Sequence, residues 1–238
     1  MNADLKAALA EFFGTFTLVF IGAGAGALAA QTGIGTLGVA LAHGIALMVI
    51  VYTWGAVSGA HVNPAVTFGL AVAGELDWMK AVYYWIAQFI GAAAAAYLLA
   101  WFVGASSDVA GLGATVGSLT ATDGIRTVAV EAVLTFFLVT TVLGTAVAGR
   151  GGNAAGLAIG FVLAMDILMG GSLTGASMNP ARTFGPALVT GHLGDYFWMY
   201  LLGPAIGGGL AALVYGQLLL VKSPARAKPA RRSAGNKK

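Results

Sequence analysis

The chain has 238 residues, of which 58% are hydrophobic and 9% charged, with a formal net charge of +3. A soluble domain carries about 25% charged residues, so this composition excludes a water-soluble globule, and the charge balance gives no footprint for nucleic acid. The absence of cysteine removes disulfides and thiolate metal sites, and no metal or cofactor is expected.

Six stretches reach the roughly 20 apolar residues that a membrane helix needs. The first, Leu9–Ala30, contains Glu11. It is long for a signal peptide and reads as a retained helix. Its glycine run, Gly22–Gly26, lacks the preceding strand a nucleotide loop requires, so it reads as a helix-packing surface. No nucleophile–base arrangement is visible, and an enzyme is not expected. The second span, Thr36–Val57, carries His43. SGAHVNPAVTFG follows from Ser58, and its apolar part, Ala65–Ala73, is too short to span. The third span is Ala81–Val103, followed by a Gly/Ser/Thr-rich loop, 104–124. The fourth, Val128–Ala148, carries Glu131. The fifth, Ala154–Leu173, carries Asp166 and Ile167. TGASMNPARTFG begins at Thr174 and contains a second short apolar stretch, Ala181–Val189. Tyr196–Val221 is the sixth span, and a basic tail, 222–238, reads as a disordered cytoplasmic anchor. Seven of the twelve Lys and Arg lie in that tail. With Lys6, Lys80 and Arg150 on the same side, the positive-inside rule places both termini in the cytoplasm, and the cell membrane is the expected location.

The chain repeats itself. Glu11-Phe-Phe-Gly-Thr15-Phe16 resembles Glu131-Ala-Val-Leu-Thr135-Phe136, and the two Asn-Pro segments correspond 116 residues apart. One domain, 1–221, therefore divides into halves, 1–103 and 125–221. Three spans per half make the second half enter from the opposite side, and an inverted repeat places its site near the bilayer midplane. The expected fold is all-α: six transmembrane helices plus two re-entrant half-helices.

Asn is a good N-cap and Pro suits the first helical position. Asn63-Pro64-Ala65 and Asn179-Pro180-Ala181 therefore read as the starts of half-helices whose positive ends meet at the centre. Each Asn caps its own helix with its side-chain oxygen and turns its NH2 toward a lumen as a donor. Extended backbone before each Asn would aim carbonyls at the lumen: Gly59, Ala60, His61 and Val62 in one half, Gly175, Ala176, Ser177 and Met178 in the other. Glu11 and Glu131 are expected to accept the amides of those loops, since a buried carboxylate needs donors to offset desolvation. The rival role for the carboxylates is a proton relay. His61 either lines the lumen or braces its loop.

At these residues the chain resembles the aquaporin family, the major intrinsic proteins, over residues 7–221. The resemblance implies passive conduction of water or small neutral solutes with ions and protons excluded, in a homotetramer embedded in the lipid bilayer. Counted from the motifs, the family's filter positions fall on His43, Ile167, Ala176 and Arg182. That set resembles the plant tonoplast intrinsic proteins, which implies passage of water and of ammonia, urea or hydrogen peroxide. Ile167 removes a polar lining group and Ala176 adds width. His43 restores a polar group, and Arg182 donates to solute oxygen while repelling cations. Thr183 stands where glycerol facilitators resemble one another in an aspartate, whereas Tyr200-Leu201 departs from the water-channel pattern and keeps a glycerol facilitator as the alternative. A proton-coupled transporter using Glu11 and Asp166 is the more distant alternative. Asp166 is not placed by the motifs: a structural hydrogen bond, such as one that orients His43 or a loop amide, is expected ahead of direct contact with solute.

Overall fold

The computed structural model describes residues 1–104 and 111–219. Capping sets where the long helices begin. The Asn2 side chain accepts the Leu5 amide at 2.8 Å and starts α1, Ala3–Ala27. Asp77 accepts the Met79 amide at 2.9 Å and starts α5, Trp78–Val103. Asp123 accepts the Arg126 amide at 3.0 Å and starts α6, Gly124–Val142. Each cap satisfies an amide that a helix start leaves unpaired. The caps carry these helices past the apolar windows into polar residues, which is why they begin before the expected Leu9, Ala81 and Val128.

A single-turn helix, α2 (Ala29–Thr32), leads into α3 (Gly35–Ser58). Two helices follow the Asn-Pro pairs, α4 (Pro64–Val72) and α8 (Pro180–Thr190), and the remaining long ones are α7 (Ala155–Thr174) and α9 (Leu193–Ala211). Both α6 and α9 end in wider π-helical turns, Leu143–Val147 and Ala212–Leu219. Six helices are long and apolar enough to cross a membrane, and there is no strand among the described residues. At 1.5 Å per residue, the 9 residues of α4 and 11 of α8 cover about half of a roughly 30 Å hydrocarbon core. The basic tail and residues 105–110 of the linking loop lie outside the described residues.

Helix α1 packs on α3 and α5, and α6 packs on α7 and α9. The halves interlock, because α4 of the first packs on α9 of the second and α8 packs back on α5. Helices α3 and α7 cross at two glycines. A Cβ on Gly44 would lie 2.6 Å from the Gly160 carbonyl oxygen, and one on Gly160 would lie 2.5 Å from that of Gly44. Membrane helices approach this closely only through small residues. The central cluster includes Leu18, Leu47, Leu134, Leu138 and Leu163, while Ile45, Ile86, Phe161 and Leu168 point outward as an apolar outer surface.

Candidate functional site

The two half-helices start at the centre of the molecule, and each is capped as its Asn-Pro pair dictates. Asn63 Oδ1 accepts the Ala65 amide at 2.8 Å; Asn179 Oδ1 accepts those of Ala181 at 3.0 Å and Arg182 at 3.2 Å. The side-chain amides then reach across. Asn63 Nδ2 donates to the Met178 carbonyl at 2.8 Å, and Asn179 Nδ2 donates to the Val62 carbonyl at 2.9 Å. Each NH2 keeps one hydrogen for a further acceptor. The Val62 and Met178 carbonyls, expected to face only a lumen, each spend an acceptor position on the opposite tip.

The loops before the asparagines are not extended. Gly59, Ala60 and Val62 have φ of +93°, +51° and +45°, and Gly175, Ala176 and Met178 repeat this with +82°, +45° and +54°. An extended strand would send alternate carbonyls to opposite sides. Interleaving left-handed residues instead turns successive amides one way and carbonyls the other, which makes a nest for an anion. Glu11 and Glu131, both fully buried, occupy the two nests. Glu11 Oε1 accepts the Ser58 hydroxyl at 2.6 Å and the His61 amide at 2.9 Å, and Oε2 accepts the Val62 amide at 2.6 Å and Gln88 Nε2 at 2.8 Å. Glu131 Oε1 accepts the Thr174 hydroxyl at 2.7 Å and the Ser177 amide at 3.0 Å, and Oε2 accepts the Met178 amide at 2.7 Å. Hydrogen bonds to a charged group contribute about 1.5–3 kcal/mol each. Three or four per carboxylate outweigh two left-handed non-glycine residues at about 1–3 kcal/mol each.

Further supports mirror one another. Tyr84 OH donates to the Ser58 carbonyl at 2.6 Å, and Tyr200 OH donates to the Thr174 carbonyl. Gln88 has no counterpart, because Pro204 stands 116 residues later. Thr67 Oγ1 lies 3.1 Å from His61 Nδ1, and Thr183 Oγ1 lies 2.6 Å from Ser177 Oγ. His61 thus both braces its loop and lines the central cavity. These pairings escaped sequence reasoning, although the 116-residue offset that relates the motifs relates Tyr84 to Tyr200 as well.

The central cavity extends from Asn63 and Asn179 toward the side that holds the N-terminus and the α6–α7 loop. Gly59, Ala60, His61 and Val62 form one wall; Leu18 and Leu138, Leu47 and Leu163, with Val51, Val66, Val142 and Ile159, form the rest. About 40 Å³ is open to the centres of water-sized spheres, room for about three waters at 10–15 Å³ each. The cavity is therefore small, with its polar groups on the Gly59–Val62 loop and at the two asparagines.

On the opposite side of the tips, His43 and Arg182 meet. They are 4% and 5% exposed, and Ile167 and Ala176 are buried as well. Arg182 Nε donates to His43 Nε2 at 3.3 Å, and His43 Nδ1 lies 2.9 Å from the Val39 carbonyl. A carbonyl can only accept and the guanidinium can only donate, so the imidazole is the neutral Nδ1–H tautomer. His43, expected as a polar lining group able to donate or accept, has both ring nitrogens engaged, one of them by the arginine. Arg182 NH1 donates to the Gly113 carbonyl at 2.7 Å. Gly113 belongs to the linking loop, which pairs with the end of α7 through Ser118 N to Ser172 O at 3.1 Å and Leu119 N to Leu173 O at 2.9 Å. That loop is part of the site, a role its Gly/Ser/Thr composition did not reveal.

Asp166 orients neither group expected of it. His43 is saturated by Val39 and Arg182, and the loop amides of Ser177 and Met178 are taken by Glu131. Asp166 is 1% exposed, and its Oδ2 has no hydrogen-bond partner. No cluster of three metal-binding side chains occurs among the described residues.

Gly113 has φ +64°, and a Cβ there would run into the Ala23 carbonyl. Gly113→Ala is therefore expected to shift the carbonyl that holds Arg182. We expect a two- to tenfold change in the urea-to-water permeability ratio, for a net hydrogen bond of about 0.5–1.5 kcal/mol, read from stopped-flow light scattering of proteoliposomes.

Comparison with known proteins agrees with this geometry. The family model described as Major intrinsic protein matches residues 1–215. Aquaporin TIP2-1 of Arabidopsis thaliana is 44% identical over 236 residues, covering 93% of this chain and 90% of its own. Aquaporin TIP1-1 of Zea mays is 44% identical over 232 residues, covering 91% and 88%. The X-ray structure of the aquaglyceroporin from Plasmodium falciparum superposes with a TM-score of 0.81 at 23% identity, covering 90% of this chain and 96% of that one, and so shares the fold. With two capped half-helices meeting inside a six-helix membrane bundle, the chain belongs to the major intrinsic protein family and is a passive water channel.

Proposed function

We propose that the water path runs as a single file through this cavity, between Asn63 and Asn179, and out past His43, Ile167, Ala176 and Arg182, and that small neutral solutes share it while ions and protons are excluded. The observation that carries this reading is the mirrored tip. Two half-helix N-termini converge there, and each Asn keeps one N–H free of protein partners. A water at that point offers its oxygen to both asparagines and cannot donate back, so the chain of hydrogen bonds reverses direction. The converging helix dipoles add a barrier to cations. Arg182 adds a fixed positive charge at one mouth. The carbonyls of Gly59–Val62 and Gly175–Met178 supply acceptors on either side.

Glu11 and Glu131 act as scaffolds for the loops. Their oxygens accept from Ser58, Gln88, Thr174 and the loop amides, which weighs against a proton relay through Glu11 or Glu131. Ile167 and Ala176 favour ammonia, urea or hydrogen peroxide beside water. Both termini face the cytoplasm, four copies assemble with one path each, and the apolar outer faces of α3 and α7 meet neighbours or lipid. Residence in the cell membrane, expected from the sequence, is not what the TIP-type relatives point to.

Purified protein in liposomes is expected to shrink faster after an osmotic step than empty liposomes do. The flow should be of low activation energy, non-saturating, and independent of a proton gradient. Shrinkage no faster than in empty liposomes would refute the path. Parallel runs with urea, glycerol and an ammonia gradient define the solute range.

A further inference from the structure

The 116-residue offset that relates the two re-entrant motifs also carries each filter position onto a residue of the other half. His43 maps to Ile159, Ile167 to Val51, Ala176 to Ala60, and Arg182 to Val66. All four of these lie in the wall of the cavity, on the side of the asparagine pair that holds the N-terminus. Symmetry therefore gives the channel a second ring at the matching depth, with opposite chemistry. The first ring holds a guanidinium bonded to an imidazole at 3.3 Å. The second presents only apolar side chains.

We propose that Val51, Ala60, Val66 and Ile159 form a second solute-discriminating ring, in series with the filter, which rejects solutes by lack of polar contact rather than by charge. This rests on the conduction path proposed above. Polar contact in that cavity comes from the Gly59–Val62 loop, His61 and the two asparagines, and the facing surface is Leu47, Val142 and Leu163. A solute there can bond to one wall and to its neighbours in the file. Water loses little, because its neighbours before and behind it and one loop carbonyl satisfy it. Urea carries donors on two nitrogens and an acceptor between them, more than a single wall can pair, and polar groups left unpaired in an apolar enclosure are penalised. Ammonia is small enough to meet the polar wall alone. Two barriers in series add as resistances, so opening either ring by itself releases urea only in part.

The test uses the full chain in liposomes, with urea and water permeabilities measured for the wild type, for His43→Ala, for the pair Val51→Ser and Ile159→Ser, and for all three changes together. The serine pair gives a crossing solute new hydrogen-bond partners and more room. The urea-to-water ratio is expected to rise about fivefold when the pair is added to His43→Ala, and the combined change should exceed the product of the separate ones. Val66→Thr, which adds one hydroxyl at nearly constant volume, should move the ratio the same way and serves if the serine pair does not assemble. A ratio unmoved by Val66→Thr and by the serine pair, in both backgrounds, would overturn the ring. So would an equal shift from Ile90→Ala, whose side chain faces outward at 56% exposure. Wild-type water flow no faster than in empty liposomes would overturn the path itself. That result is distinct from normal water flow with an unmoved ratio, which would overturn the ring alone.

Discussion

Replacing Glu131 by Gln is expected to abolish the folded channel rather than retune it. The carboxylate accepts from Thr174 Oγ1, Ser177 N and Met178 N with its two oxygens. Glutamine would keep one acceptor and present an NH2 to donors already aimed at that point. Leaving donors buried and unpaired costs about 1–3 kcal/mol each, and the hydrogen bonds that remain lose the strength that a charged acceptor gives them. The left-handed Ala176 and Met178 would then lose what holds them. A domain is stable by only about 5–15 kcal/mol, so a loss of this size is expected to eliminate the monodisperse peak in detergent size-exclusion chromatography. Glu11→Gln should behave alike but less severely, because Gln88 remains bonded to Thr67 at 3.0 Å. A Glu131→Gln protein that elutes and melts like the wild type would refute the scaffold role.

The asymmetry between those two carboxylates also marks what could be read from the sequence. The half-helices were legible because capping is local: an Asn followed by Pro at the head of an apolar stretch states its own geometry. The spans were legible because lipid imposes a length, although their starts were misjudged wherever a capping Asn2, Asp77 or Asp123 extended the helix. The carboxylates could be assigned to the loops because the same repeat that pairs the loops pairs Glu11 with Glu131. Gly113 was not legible. Its contribution to Arg182 is a backbone carbonyl, and any residue type has one. The left-handed loop residues were missed for a related reason, since Ala60, Val62, Ala176 and Met178 are not residues that ordinarily adopt φ above zero. Only a closed network of bonds to a carboxylate places them there. Asp166 Oδ2, buried without a partner, has no physical account in either the sequence or the fold.

Exchanging Arg182 for the residue at its mirror position, Arg182→Val, is expected to admit cations. A unit positive charge about 5 Å from a passing cation, at an effective dielectric of about 20, raises its energy by about 3 kcal/mol, about two orders of magnitude in rate. Removing it also frees His43 Nε2 and the Gly113 carbonyl, two acceptors that would then favour a cation at the constriction. The converging dipoles at the tips remain as a barrier, so the rise in proton leak should fall short of that full factor and still stay below the water flux. The measurement is dissipation of a pH gradient across proteoliposomes loaded with a pH-sensitive dye, beside the osmotic assay. Unchanged proton leak in a correctly assembled variant would assign ion exclusion to the asparagine tips alone.

The hydrogen bonds that cross between the tips have a consequence for how the protein is made. Asn63 is synthesised 115 residues before Met178, whose carbonyl it bonds, and Val62 waits 117 residues for Asn179. At about 5–20 residues per second, the first re-entrant loop stands for roughly 6–23 seconds with its latch absent. Through that interval Glu11, Tyr84 and Thr67 must hold its left-handed backbone from within the first half, and Glu11 has the extra bond from Gln88, on the last helix of that half, that Glu131 lacks. The fourth bond belongs to the half that emerges first and must wait.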